Sequence, residues 1–221
     1  MKRYAGLAGL LLLVALPLVA QDPPATDPLS NADAALAKLD ANSRYGIQLL
    51  IDSARAAGLP WKPLMSTALE GIAKQAPGRY IVVRVRKVLV ALRDARAVLG
   101  PVSAEDLNAA ASVIDGGGMK PDQLVAFKNP PRGRSLVTAF MVMGDFLTRG
   151  IPRDEASSTI AKLWRDGWSD ADFMGLLRGV ESDILQGLSP GASLQNRARD
   201  NTGRAPPKLT PPSGEPEHPS S

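Results

Sequence analysis

Apolar residues in the body of this chain recur at the three- and four-residue spacing of one helix face. Phe173, Leu177, Val180 and Ile184 lie at i, i+4, i+7 and i+11, with polar or small residues between most of them. That stripe defines an amphipathic helix with one side on a core. Read segment by segment, the pattern predicts helices over about 31–40, 44–57, 62–75, 79–98, 104–115, 121–127, 135–149, 153–166, 170–186 and 191–200. The fold expected is all-α: an irregular helical bundle, or a short solenoid-like array of helix-pair units.

The ends of these segments carry physical signals. Ser103 precedes Ala104-Glu105-Asp106, an N-cap followed by acids in the first turn, and Ser169 stands the same way before Asp170 and Asp172. Gly58-Leu59-Pro60 and Gly150-Ile151-Pro152 have the same grammar. Glycine takes the left-handed turn that ends a helix, the apolar residue folds back on the last turn, and proline opens the next helix.

One stretch argues against helix. Tyr80 to Val90 is rich in β-branched residues, and Val83-Arg84-Val85-Arg86 alternates like a strand. A comparison of the chain with itself points the other way. An offset of 92 superposes Gly58 on Gly150, Ser66-Thr67 on Ser158-Thr159 and Arg86 on Arg178 without a gap. Ile81, Val85, Val88 and Leu92 then fall on Phe173, Leu177, Val180 and Ile184. Pattern therefore outweighs propensity, and 79–98 is expected to be helical as part of an approximate internal duplication. Gly118-Met119-Lys120-Pro121 is a partial third echo. The unequal intervals do not make a regular array.

The two ends differ from this body. Lys2 and Arg3 precede a nearly unbroken apolar run, Leu7 to Val19, closed by Ala20-Gln21. This is the layout of a secretory signal peptide over 1–20. The run is shorter than the roughly 20 apolar residues of a spanning helix, so no transmembrane segment is expected after cleavage. Residues 21–30 read as a Pro-rich linker, 31–200 as one helical domain, and 201–221 as a disordered Pro-rich tail. The address implied is export, to a periplasm or to the medium.

Composition then removes several chemistries. The chain has no cysteine. An acylated lipoprotein start, disulfides, thiol nucleophiles and thiolate metal sites are excluded. The single histidine is His218, in the tail, a poor place for a triad base or a zinc ligand. Loss of Lys2 and Arg3 lowers the basic count from 26 to 24 against 22 acids, too even a balance to imply nucleic acid as a partner. No catalytic residue, metal ligand or cofactor is assigned.

The remaining candidates are surfaces. Arg79, Arg84, Arg86, Lys87, Arg93 and Arg96 crowd one predicted helix, 79–96, and Arg79, Arg86 and Arg93 share a face by their spacing of seven. Such a stripe would meet an anionic envelope component or an acidic protein, although a charge run more often only solvates a helix. Trp61, Trp164 and Trp168 would stack on sugars if exposed; core or corner packing is the commoner use. Asn129-Pro130-Pro131-Arg132-Gly133-Arg134 and Gly116-Gly117-Gly118 read as connectors before they read as anion cradles.

Carboxylates give the enzymatic alternative. Glu181-Ser182 resembles the Glu-Ser pair of lytic transglycosylases, which use one glutamate as acid and base on peptidoglycan. The resemblance covers two residues. The Gly-Leu-Met-Gln-type segment of those enzymes is absent, and Ile184-Leu185-Gln186-Gly187-Leu188 stands downstream instead. Asp145, among apolar neighbours, is a second candidate and is expected to be buried. The leading expectation is a non-catalytic binding or scaffold module of the cell envelope. A peptidoglycan-acting enzyme using a carboxylate, Glu181 or Asp145, and a peripheral membrane-surface protein using the basic helix 79–96, are the alternatives.

Overall fold

Tyr80 to Val90 lies inside a helix. The computed structural model describes residues 31–202 other than 117, 129 and 131–133, and there Gly78–Leu99 forms one 22-residue α-helix. Ile81, Val85, Leu89, Leu92 and Leu99 are buried along it, with Ala91 and Ala95. Each large side chain removed from water contributes about 1.5–3 kcal/mol. A β-branched residue gives up less than about 0.7 kcal/mol of helix propensity, so burial decides the conformation. The inward stripe runs through Leu89, while Val88 is only half-buried.

The helices are α1 (Ala32–Leu36), α2 (Ala41–Ala56), α3 (Lys62–Ala73), α4 (Gly78–Leu99), α5 (Ala104–Asp115), α6 (Val137–Thr148), α7 (Arg153–Arg165), α8 (Asp170–Leu185) and α9 (Pro190–Thr202). No strand occurs among the described residues. Two segments differ from expectation. Residues 31–40 do not form one helix, because α1 stops at Leu36 and Asp40 caps α2, accepting from the Ser43 backbone N–H at 2.9 Å. Pro121–Phe127 is a 3-10 helix, with the Lys120 backbone N–H donating to Gln123 Oε1 at 2.9 Å. The expected leader, the linker over 21–30 and the tail beyond Thr202 lie outside the described residues.

Two helices organise the packing. α4 touches α2, α3, α5 and the 3-10 helix, and α6 touches α5, α7 and α8. This branching describes an all-α bundle. Its core holds Phe127, Phe140, Phe146 and Phe173, and the Phe127 and Phe140 rings stand 4.8 Å apart. α5 touches both hubs, and Asp106 ties it to the start of α6. That buried carboxylate accepts from the Leu136 backbone N–H at 2.6 Å and from Ser135 Oγ at 2.8 Å.

The segments related by the offset of 92 share backbone geometry. Gly58 and Gly150 both have positive φ (62° and 83°), and the next residue folds back in each case. Leu59 N–H donates to Ala54 O at 2.9 Å, and Ile151 N–H to Phe146 O at 3.0 Å. Gly118 has φ 62° and is followed by buried Met119. The next turns also correspond: Gln75 and Gly167 are both left-handed, at φ 54° and 89°. Burial follows the same register at Ile47 and Ala139, Ile51 and Met143, Ala54 and Phe146, and Ile81 and Phe173. The third helix departs. α3 lies against α4 as well as α1 and α2, whereas α7 lies against α6, the 3-10 helix and α9.

Candidate functional site

The outer face of α4 is where exposed charge and exposed apolar surface coincide. On its α2 side is a cleft of about 390 Å³ lined by Gly46, Leu49, Leu50 and Ser53 from α2 and by Arg86, Leu89, Val90 and Arg93 from α4. On its α5 side a second cleft of about 380 Å³ is lined by Val83, Arg86, Lys87, Val90, Ala91, Asp94, Ile114 and Asp115. Arg86 and Val90 belong to both, so they form the ridge between them.

The local sequence builds this relief. Gly46 lets α2 lie close to α4 at Val82, where a Cβ would stand 3.4 Å from both methyl groups. Ile47 and Ile51 turn inward, which sends Tyr45 and Leu49 to the surface on the adjacent face of α2. Leu49, Val83 and Val90 are 51 %, 49 % and 47 % exposed, unusual neighbours for a row of cations.

The three arginines expected to act together are all exposed, but they are not equivalent. Arg86 and Arg93 line the same cleft. Arg93 Nη2 donates to Ser53 Oγ at 2.7 Å, which ties α4 to α2 and holds the guanidinium at the rim. Arg79 lines neither cleft; its guanidinium stacks 4.7 Å from the Tyr80 ring centre and donates to the Tyr80 hydroxyl. Arg84 is spent on Asp115, at 2.5 Å. The cations of the basic run that line the clefts are Arg86, Lys87 and Arg93. The apolar residues of α2 were not singled out from sequence. The available signal was the surplus of apolar residues there, with Tyr45 and Leu49 lying off the core stripe.

The candidate carboxylates meet each other through one cation. Arg149 Nε donates to Asp145 and Arg149 Nη2 to Glu181. The side chains of Arg149, Asp145 and Glu181 are 34 %, 34 % and 35 % exposed, so Asp145 is not the buried acid expected of it. It sits one turn before Arg149 at the edge of α6, and its apolar neighbours face the core. The Asp145 hydrogen bond raises the Arg149 pKa above its ordinary value; burial opposes it, and the charges of Asp145 and Glu181 and the Glu181 hydrogen bond add to it. Neither carboxylate lines either α4 cleft.

The aromatic and loop candidates have structural partners. Trp164 is buried, Trp61 carries the Arg55 guanidinium at 4.5 Å, and Trp168 packs on Phe173 with ring centres 5.9 Å apart. Arg134, from the irregular loop, lies over Trp164 and donates to two backbone carbonyls. Asn129, Arg132, Gly133 and Gly117 lie outside the described residues. Among the described residues no three Asp, Glu or His side chains converge as a metal-binding set, and no helix is long and apolar enough to cross a membrane. No protein-family model, curated protein or solved structure matches the chain.

Proposed function

We propose that this chain is an exported, non-catalytic binding module of the cell envelope, and that the ridge of α4 with its two clefts is its working surface. The observation that carries the reading is the position of Arg86. It is exposed on a helix otherwise anchored in the core, it stands between two clefts, and no described residue forms an ion pair with it. Solvation alone does not call for Val83 and Val90 of α4, with Leu49 of α2, to stand exposed beside these charges. Export is supported by the leader-like run Leu7 to Val19. The carboxylate-enzyme reading has less to stand on, because Arg149 occupies both candidate acids.

A photo-crosslinking residue at position 90, compared with one at the highly exposed Leu185 of α8, tests the reading in the native envelope fraction. Crosslinks are expected at 90, and R86E should reduce them. Equal crosslinking at both positions, or indifference to R86E, would overturn the surface assignment. Mass spectrometry of the exported protein tests the address: the mature chain is expected to begin at or near Gln21.

A further inference from the structure

We infer that the α4 ridge takes an amphipathic helix with an acidic flank, supplied by another protein. The inference rests on the binding reading above and names the partner chemistry for that surface. Three features of the face lead to it.

The first is charge complementarity. Arg86 and Arg93 on one cleft, and Arg86 with Lys87 on the other, present cations on both sides of Val90. The acids nearest them are limited. Asp115 is bound by Arg84, and Asp52 by Arg55 at 3.3 Å, which leaves Asp94 as the anion lining the second cleft without an ion pair. A partner carrying carboxylates gains pairing here, and one carrying lysines is repelled.

The second is the mixed chemistry. Leu49, Val83 and Val90 offer apolar contact between the cations, and the clefts beside them are open and roomy enough to admit side chains. Apolar anchors and carboxylates must therefore come from the same partner at close spacing.

The third is the backbone. There is no strand among the described residues, so this fold offers no sheet edge to pair with an extended peptide. A partner that buries apolar side chains must satisfy its own N–H and C=O groups, and a helix does so internally. Arg86 and Val90, four residues apart, are spaced as the ridge of one helix that packs into the groove of another. Residues at i and i+3 or i+4 of the incoming helix would then straddle the ridge and enter the two clefts.

The test uses the exported chain and a labelled synthetic peptide of about 18 residues, since shorter isolated helices are marginal in water. The peptide carries leucines at i, i+3, i+4 and i+7 and glutamates on both flanks. Two twins accompany it, one with lysine flanks and one broken by central prolines. Fluorescence anisotropy should show binding of the glutamate peptide alone, weakened at least tenfold by R86E and by L49S. R86Q should weaken it less, and circular dichroism of each variant checks that the helices are intact. Failure of the glutamate peptide to bind, equal binding of the twins, or binding only to vesicles of phosphatidylglycerol and phosphatidylcholine would each overturn the inference. In any of these cases an R86E-sensitive crosslink at position 90 would leave the binding reading standing. Loss of that crosslink removes both.

Discussion

Arg134 lies 3.6 Å over the ring of Trp164 and closes the end of the helix that carries it. Its Nη1 donates to the Trp164 carbonyl at 2.8 Å and its Nη2 to the Trp168 carbonyl at 2.5 Å. Those carbonyls belong to the end of α7 and the turn after it, where the Trp164 carbonyl also accepts the Gly167 N–H at 3.1 Å and Arg134 is its second donor. Burial lowers the Arg134 pKa, with the charge of Asp170 opposing. A guanidinium here both satisfies the carbonyls and covers the indole. Arg134→Ala should therefore cost about 2–4 kcal/mol, combining a charged hydrogen-bond loss with a desolvated cation–π contact. Arg134→Lys should recover about half, because an ammonium cannot reproduce the planar fork. Urea denaturation of both variants checks the order.

Asp106 should be the most sensitive carboxylate of the described core. It is contributed by the first turn of α5 and spends its oxygen on the start of α6. Asp106→Ala leaves the buried Leu136 N–H without its acceptor, a loss of about 1–3 kcal/mol. Asp106→Asn keeps an acceptor oxygen and should cost less. Hydrogen exchange at Leu136 and Val137 gives a local check: protection should fall in the alanine variant before global unfolding is reached.

The difference between what was legible in the sequence and what was not follows the range of the interactions. Ser103, Ser169, Gly58 and Gly150 announce helix ends because a cap or a left-handed turn involves a few neighbouring residues. The β-branched run of α4 was legible only through its correspondence with α8, since its local preference pointed elsewhere. The arginines at 86 and 93 were visible as a spacing, but the cleft they line needs Leu49 and Ser53 from α2, at a crossing that periodicity does not specify. The Asp145 and Glu181 pairing was invisible for the same reason. Arg149, which joins them, reaches across 32 residues, and no local rule selects Glu181 as its second acceptor.

Gln75 occupies a backbone conformation that its counterpart fills with glycine. Its φ is 54°, and Ala76 N–H folds back to Gly71 O at 3.0 Å, just as Trp168 N–H does to Leu163 O after Gly167. A left-handed residue with a Cβ costs roughly 1–2 kcal/mol. Glycine relieves that but loses more freedom on folding, by about 0.5–1 kcal/mol. Gln75→Gly should thus stabilise by about 0.5–1 kcal/mol, and Gly167→Ala should destabilise by about 1 kcal/mol. Opposite signs in thermal melts would support the equivalence of the two turns; a loss of stability in both would break it.

The pair Asp183 and Arg197 should give α9 a dependence on acid. Arg197 Nε donates to Asp183 Oδ2 at 2.8 Å and Nη2 to Oδ1 at 2.5 Å, a two-point contact between α8 and α9. The hydrogen bonds from Arg197 hold the Asp183 pKa below the usual aspartate range; burial opposes them, and the charge of Arg197 adds to them. A carboxylate depressed in the folded state binds its proton more readily when unfolded. Its contribution is therefore complete above the unfolded value of about 3.9 and is lost as pH falls through the lower folded value. Asp183→Asn should lower the melting temperature at neutral pH, and the wild type should converge on it as pH is lowered below that range. The loss should be local first. Hydrogen exchange over 190–200 is expected to quicken in the variant at pH 7, while the 81–99 segment of α4 keeps its protection.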